Sequence, residues 1–189
     1  KKASWRQIAA AAYGMNLPRG MEPGLHETAF FDPKREAWGF GAHLALVRID
    51  RDTGTPTVEK LVLVDDCGVV INPMILNGQI HGGVAQGLGE ALCEQMLFGA
   101  GGEVLTDSLM NYAVPRAGDI PEITLGETVT PNPFNPLGVK GVGEAGCNGA
   151  PPAVANAVMD ALAPLGIDHI DMPYTAPKLW AAIRQAEGR

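Results

Sequence analysis

Apolar residues recur along this chain with two different periods, and the period changes at Asn72-Pro73. Before that point the runs at 27–32, 38–50 and 57–65 read as strands. The last two are separated by Arg51-Asp52-Thr53-Gly54-Thr55-Pro56, a hairpin connection by its turn residues. After Pro73, Ile80, Val84, Leu88, Leu92 and Met96 fall at helical spacing, which predicts a helix over 74–97. Further on, 104–105 and 122–129 read as strands, and a Pro-rich loop follows at 130–137.

Helix signals mark both ends of the chain. Ser4 can cap a short helix through Trp5, Ile8, Ala9 and Ala12 that ends at Gly14. Asn148 with Pro151-Pro152 predicts a helix start, with Val154, Val158 and Leu162 on one face. After a short strand at 167–171, Thr175 with Pro177 starts a last helix through Leu179, Trp180 and Ile183. Strands and helices come in blocks rather than in strict alternation, so the fold class is α+β.

The predicted helix over 74–97 carries Gly78, Gly82, Gly83, Gly87 and Gly89, each of which destabilises a helix by up to about 1 kcal/mol relative to Ala. Either something approaches that backbone closely, or the helix packs tightly against a neighbour. The pattern leaves both open.

Composition narrows the function classes. The chain has 189 residues, a hydrophobic content of 46% and 19% charged residues, values of an ordinary globular protein. A net charge of −7, with no run of Lys or Arg, argues against a nucleic-acid partner. No stretch reaches the roughly 20 apolar residues of a membrane span. The start of the chain lacks a signal peptide's apolar run, so a cytoplasmic location is expected. Cys67, Cys93 and Cys147 form no CxxC pair, and His26, His43, His81 and His169 are dispersed. Metal ligation through side chains of this segment is not expected. The three cysteines read as small buried side chains.

Candidate chemistry sits in Gly138-Val139-Lys140-Gly141-Val142-Gly143-Glu144-Ala145-Gly146, where four glycines surround one carboxylate. Glycines let peptide N–H groups face a ligand, and a glutamate held there can act as a general base. Two other readings stay open. The segment formally matches the dinucleotide fingerprint G-x-G-x-x-G, although a Pro-rich loop precedes it where that motif needs a strand. It also reads as a plain glycine-rich turn with an exposed Glu. Lys140 can pair with a ligand phosphate or be simply solvated.

The run 64–73, Val-Asp-Asp-Cys-Gly-Val-Val-Ile-Asn-Pro, followed by 78–90, Gly-Gln-Ile-His-Gly-Gly-Val-Ala-Gln-Gly-Leu-Gly-Glu, resembles the xanthine dehydrogenase and aldehyde oxidase family. The likeness is strongest to large subunits of the aerobic carbon monoxide dehydrogenase type. Residues 135–146, 150–154, 170–173 and 177–183 resemble the same proteins, in the same order along the chain.

The resemblance implies the molybdopterin-binding domain of a molybdenum hydroxylase large subunit, with mixed sheets, a long Gly-rich helix and C-terminal helices. It implies that Glu144 is the active-site base beside molybdenum, with water as the oxygen source. Gln86 matches a glutamine lying against the pterin, and Gly141, Val142 and Gly143 approach the cofactor through backbone groups. The cofactor is then molybdenum-molybdopterin, in its cytosine dinucleotide form, with iron–sulfur clusters and FAD on partner domains or subunits. The implied partners are the remainder of the molybdenum-binding subunit, an iron–sulfur subunit and an FAD subunit, and the implied substrate is a small aldehyde, N-heterocycle or carbon monoxide. The family's large subunit is several times longer, so residues 1–189 are expected to be a C-terminal cofactor-binding domain, as a fragment or a split subunit, inactive alone. A non-catalytic assembly or scaffold module is the alternative.

Overall fold

The computed structural model describes residues 2–188, and the chain divides into two compact units, up to Lys34 and from Arg35 onward. The first unit contains helix α1, Trp5–Ala12. Its start follows from Ser4, whose hydroxyl accepts from the Gln7 N–H while the Gln7 side chain accepts from the Ser4 N–H, a reciprocal cap that satisfies two otherwise orphaned donors. The predicted strand at 27–32 does not form, because no second strand among the described residues pairs with it.

The second unit is built on a three-stranded sheet in the order β1-β2-β3, where β1 is Phe40–Ile49, β2 is Pro56–Asp66 and β3 is Glu122–Glu127. The hairpin expected at 51–56 joins β1 and β2 antiparallel, with a register irregularity between Leu46 and Val47. β3 pairs parallel to β2. A parallel pair needs a long crossover, and helix α2, Pro73–Leu92, lies within it.

Side chains alternate across the sheet. Leu61, Leu63 and Asp65 of β2 and His43, Ala45 and Val47 of β1 face the core, where Leu61, Leu63, Val84, Leu88, Val154, Val158, Leu162, Leu179 and Ile183 are the largest fully buried apolar side chains. The opposite face carries Phe40, Leu44, Leu46 and Val64, all exposed.

Asn72 caps α2 by accepting from the Ile75 N–H at 3.1 Å, and Pro73 fills the first turn, where its missing N–H costs nothing. α2 ends at Leu92 rather than at 97: the Gly89 carbonyl takes both the Cys93 and Glu94 N–H groups, and the chain turns away. Met96 and Leu97 therefore leave the helical face and stay exposed. Of the predicted strand at 104–105, only a bridge between Phe98 and Val104 forms.

Helix α3, Ala145–Leu162, starts six residues earlier than its prolines signal, so Pro151 and Pro152 lie inside it. Small residues at 145–150 explain why: Gly146 and Ala150 pack on α2, and Gly149 sits against the His43 ring. Tertiary packing outweighs the two lost backbone hydrogen bonds. Gly83 meets Gly146 and Gly87 meets Ala150 and Pro151, so α2 and α3 run side by side in the same direction. The last helix, α4, Ala176–Ala186, starts after Thr175 with Pro177 in its first turn, as predicted, but the stretch 167–171 forms no strand.

Candidate cofactor-facing site

α2 presents two faces with different uses for glycine. Gly83 and Gly87 point at α3, and a Cβ on Gly87 would lie 2.8 Å from Pro151 Cδ, so these two serve close helix packing. Gly78 and Gly82 lie on the opposite side of the helix, where an added Cβ would meet nothing within 4 Å. Gln86 falls on that same open stripe one turn further on and is exposed. Tight packing against a neighbour thus accounts for Gly83 and Gly87, whereas Gly78 and Gly82 leave the other face of the helix open.

The segment 138–144 reaches this region through a series of backbone anchors. Gly138, at φ +70°, offers its carbonyl to the Val69 and Asn132 N–H groups, and the Lys140 N–H donates to the Cys67 carbonyl at 2.8 Å. Asn135 fixes the turn by accepting from the Val139 N–H and donating to the Val139 carbonyl. Val142 turns its side chain toward the core, while Gly141 and Gly143 on either side are exposed and have open space where a Cβ would be.

Glu144 occupies the N-cap of α3, but its side chain makes no capping hydrogen bond and is exposed. Its backbone carbonyl accepts from the Asn148 N–H at 2.9 Å and from the Cys147 thiol at 3.3 Å. The carboxylate is left to face outward, held by a helix start rather than by a loop.

Sequence reasoning missed Gln79. Its side-chain amide donates to the Gly143 carbonyl at 2.8 Å and ties α2 to the residue before Glu144. The signal was available, because position 79 follows the open glycine at 78, but a lone Gln on a helix carries no chemistry in its spacing.

Lys140 goes neither to solvent nor outward. Its ammonium pairs with Asp66 at 2.9 Å, with the two side chains 5% and 0% exposed, and lies 4.9 Å from the centre of the Phe40 ring. Burial works to raise the Asp66 carboxyl, but the Lys140 ammonium and the Gly68 N–H outweigh it and hold the group well below 3.8. The neighbouring Asp65 faces the other way and meets His43 at 3.1 Å. The cysteines are only partly as expected: Cys67 is buried, whereas Cys93 and Cys147 are half-buried. Burial pushes the thiols of Cys67 and Cys93 up, away from reactive thiolates.

A cavity of about 320 Å3 opens where α2 begins, lined by Asp65, Cys67, Leu76, Ile80 and Leu125 among others. None of Gln86, Gly141, Val142, Gly143 and Glu144 lines it. The G-x-G-x-x-G match at 141–146 lacks its strand: only Val139 makes an isolated bridge, to Gly68, and α3 starts inside the motif.

Comparison with known proteins places the fold in a family. Residues 1–121 match the family model of the molybdopterin cofactor-binding domain. The carbon monoxide dehydrogenase large chain of Hydrogenophaga pseudoflava is 43% identical over 168 residues, 89% of this chain and 21% of that protein. The nicotine 6-hydroxylase large subunit of Paenarthrobacter nicotinovorans is 40% identical over 185 residues, 97% of this chain and 23% of that protein. The solved structure of reconstituted carbon monoxide dehydrogenase from Oligotropha carboxidovorans superposes with a TM-score of 0.87 at 38% identity, covering 96% of this chain and 22% of that one. The chain thus spans about a fifth of the length of the curated relatives it matches. With its mixed α+β fold and these relatives, the chain belongs to the molybdopterin cofactor-binding domains found in molybdenum-binding large subunits of the xanthine oxidase family.

Proposed function

We propose that this chain is the part of a molybdenum hydroxylase or dehydrogenase that carries the active-site base, Glu144, and one wall of the cofactor site. The observation that carries this is the pairing of an open glycine face on α2 with an outward carboxylate at the start of α3, joined through Gln79 and Gly143. That surface leaves room for a flat pterin, because a Cβ at Gly78, Gly82, Gly141 or Gly143 would meet no protein atom within 4 Å.

Bound there, molybdopterin supplies a two-electron acceptor and a Lewis-acidic metal. The chain's own residues do the rest. Gln86 can both donate to and accept from the pterin edge, and the backbone of Gly141, Val142 and Gly143 lines its approach. Glu144 Oε accepts the proton released as water supplies oxygen to a small substrate, an aldehyde, an N-heterocycle or carbon monoxide. The cytosine dinucleotide form of the cofactor, the remainder of the molybdenum-binding subunit, partner subunits with iron–sulfur clusters and FAD, and a cytoplasmic location belong to the same proposal, as does the reading of residues 1–189 as the C-terminal cofactor domain.

The test is Glu144→Gln in the protein purified natively with its partners. Molybdenum and released CMP at about one per copy, with turnover lost, are the expected result. Full turnover in the variant would remove Glu144 as the base. A stable complex without molybdenum would favour an assembly or scaffold module instead.

A further inference from the structure

We propose that Lys140 and Asp66 form a positioning pair that fixes the Gly141–Glu144 segment against the end of β2. The proposal rests on the reading of Glu144 as the base.

The segment is held at few points. Val142 packs inward and Gln79 holds the Gly143 carbonyl from α2. On the β2 side, the backbone contacts at Gly68, Val69 and Lys140 form a short ladder, and the ion pair closes it with side chains. Asp66 is already occupied by the Gly68 N–H at 3.0 Å and the Thr128 hydroxyl at 3.2 Å, so its carboxylate is fixed before Lys140 reaches it. Phe40, the cross-strand partner of Asp66, covers the ammonium. Lys140 is therefore committed inward, with no free reach to a phosphate.

A buried ion pair is a weak device for stability, because taking both charges out of water offsets most of their attraction. An apolar pair of the same shape would hold the fold as well. What the pair adds is direction: one ammonium, one carboxylate, one height for the backbone that leads to Glu144 four residues later.

Lys140→Met and Asp66→Asn, singly and together, test this in the complete large-subunit polypeptide purified with its partners. Each single variant leaves an unpaired buried group and melts lower, and the double variant regains most of the melting temperature. In that double variant the backbone amide protons at positions 140 and 145 are expected to exchange about tenfold faster than in the unmodified protein, while amides within α2 and the rest of α3 keep their rates. Molybdenum content stays unchanged, and turnover falls roughly tenfold to a hundredfold, the scale of a small misplacement of a reacting group. Unmodified exchange and turnover in the double variant would overturn the proposal, as would exchange that speeds up uniformly through the helices. If melting is not regained, the local or uniform pattern of exchange decides alone. Glu144→Gln run in parallel separates the two readings: full turnover there refutes the base, while the amide exchange still judges the pair.

Discussion

Gly146 of α3 lies so close to α2 that a Cβ on it would fall on the Ile80 carbonyl oxygen and within 2.7 Å of the Val84 nitrogen. Those are backbone atoms of a continuous helix, and they cannot step aside as a side chain can. Gly146→Ala is expected to destabilise the protein by about 1–3 kcal/mol, as overpacking does, and to displace the start of α3 two residues after Glu144. A urea melt measures the first effect. An unchanged midpoint would show that the two helices separate at little cost.

Gln86 stands apart from that contact, exposed on the open stripe of α2. Gln86→Ala should change stability by no more than about 0.5 kcal/mol, as surface substitutions do. If the side chain touches the pterin, molybdenum content of the purified protein falls. Full content at unchanged stability would remove Gln86 from the contact set.

Asp66 sets an acid limit. Its carboxyl sits below 3.8 in the folded protein, so its contribution to stability is fully present above 3.8 and is lost as pH falls toward the folded value. Melting temperatures taken from about pH 6 down to about pH 2 should therefore fall more steeply for the unmodified protein than for Asp66→Asn. Parallel curves would mean that the pair with Lys140 does not hold in solution.

His43 and Asp65 form a second buried pair, under α3, with His43 Nδ1 and Asp65 Oδ2 lacking a hydrogen-bond partner among the described residues. His43→Leu strands the Asp65 carboxylate and is expected to cost about 3 kcal/mol or more, whereas His43→Leu with Asp65→Leu recovers most of that. Equilibrium unfolding of the single and double variants measures it, and equal losses in both would rule out coupling.

Much of the fold was legible because short-range rules were enough. The hairpin at 51–56, the Ser4 cap and the Asn72-Pro73 start of α2 are decided by residues within a few positions of each other. The errors share the opposite cause. Runs at 27–32 and 167–171 look like strands, but a strand exists only with a neighbour, and none pairs with them among the described residues. Pro151-Pro152 signals a helix start locally, and the packing of Gly146 on Gly83 moves the true start to Ala145. The candidate site divides the same way. Glu144 could be picked out as one carboxylate among glycines, while the inward turn of Lys140 depends on Asp66, 74 residues away.

The uncovered side of the sheet has a practical consequence. Phe40, Leu44, Leu46 and Val64 present oil to water on strands whose outer edges, on β1 and β3, carry no further pairing among the described residues. Such a surface sticks to whatever is nearby, and bare strand edges give it a template. Produced in quantity by itself, this polypeptide should come out of the cell as inclusion bodies or soluble clumps, and low temperature, dilute handling or co-expression will matter more to its yield than any change at Glu144.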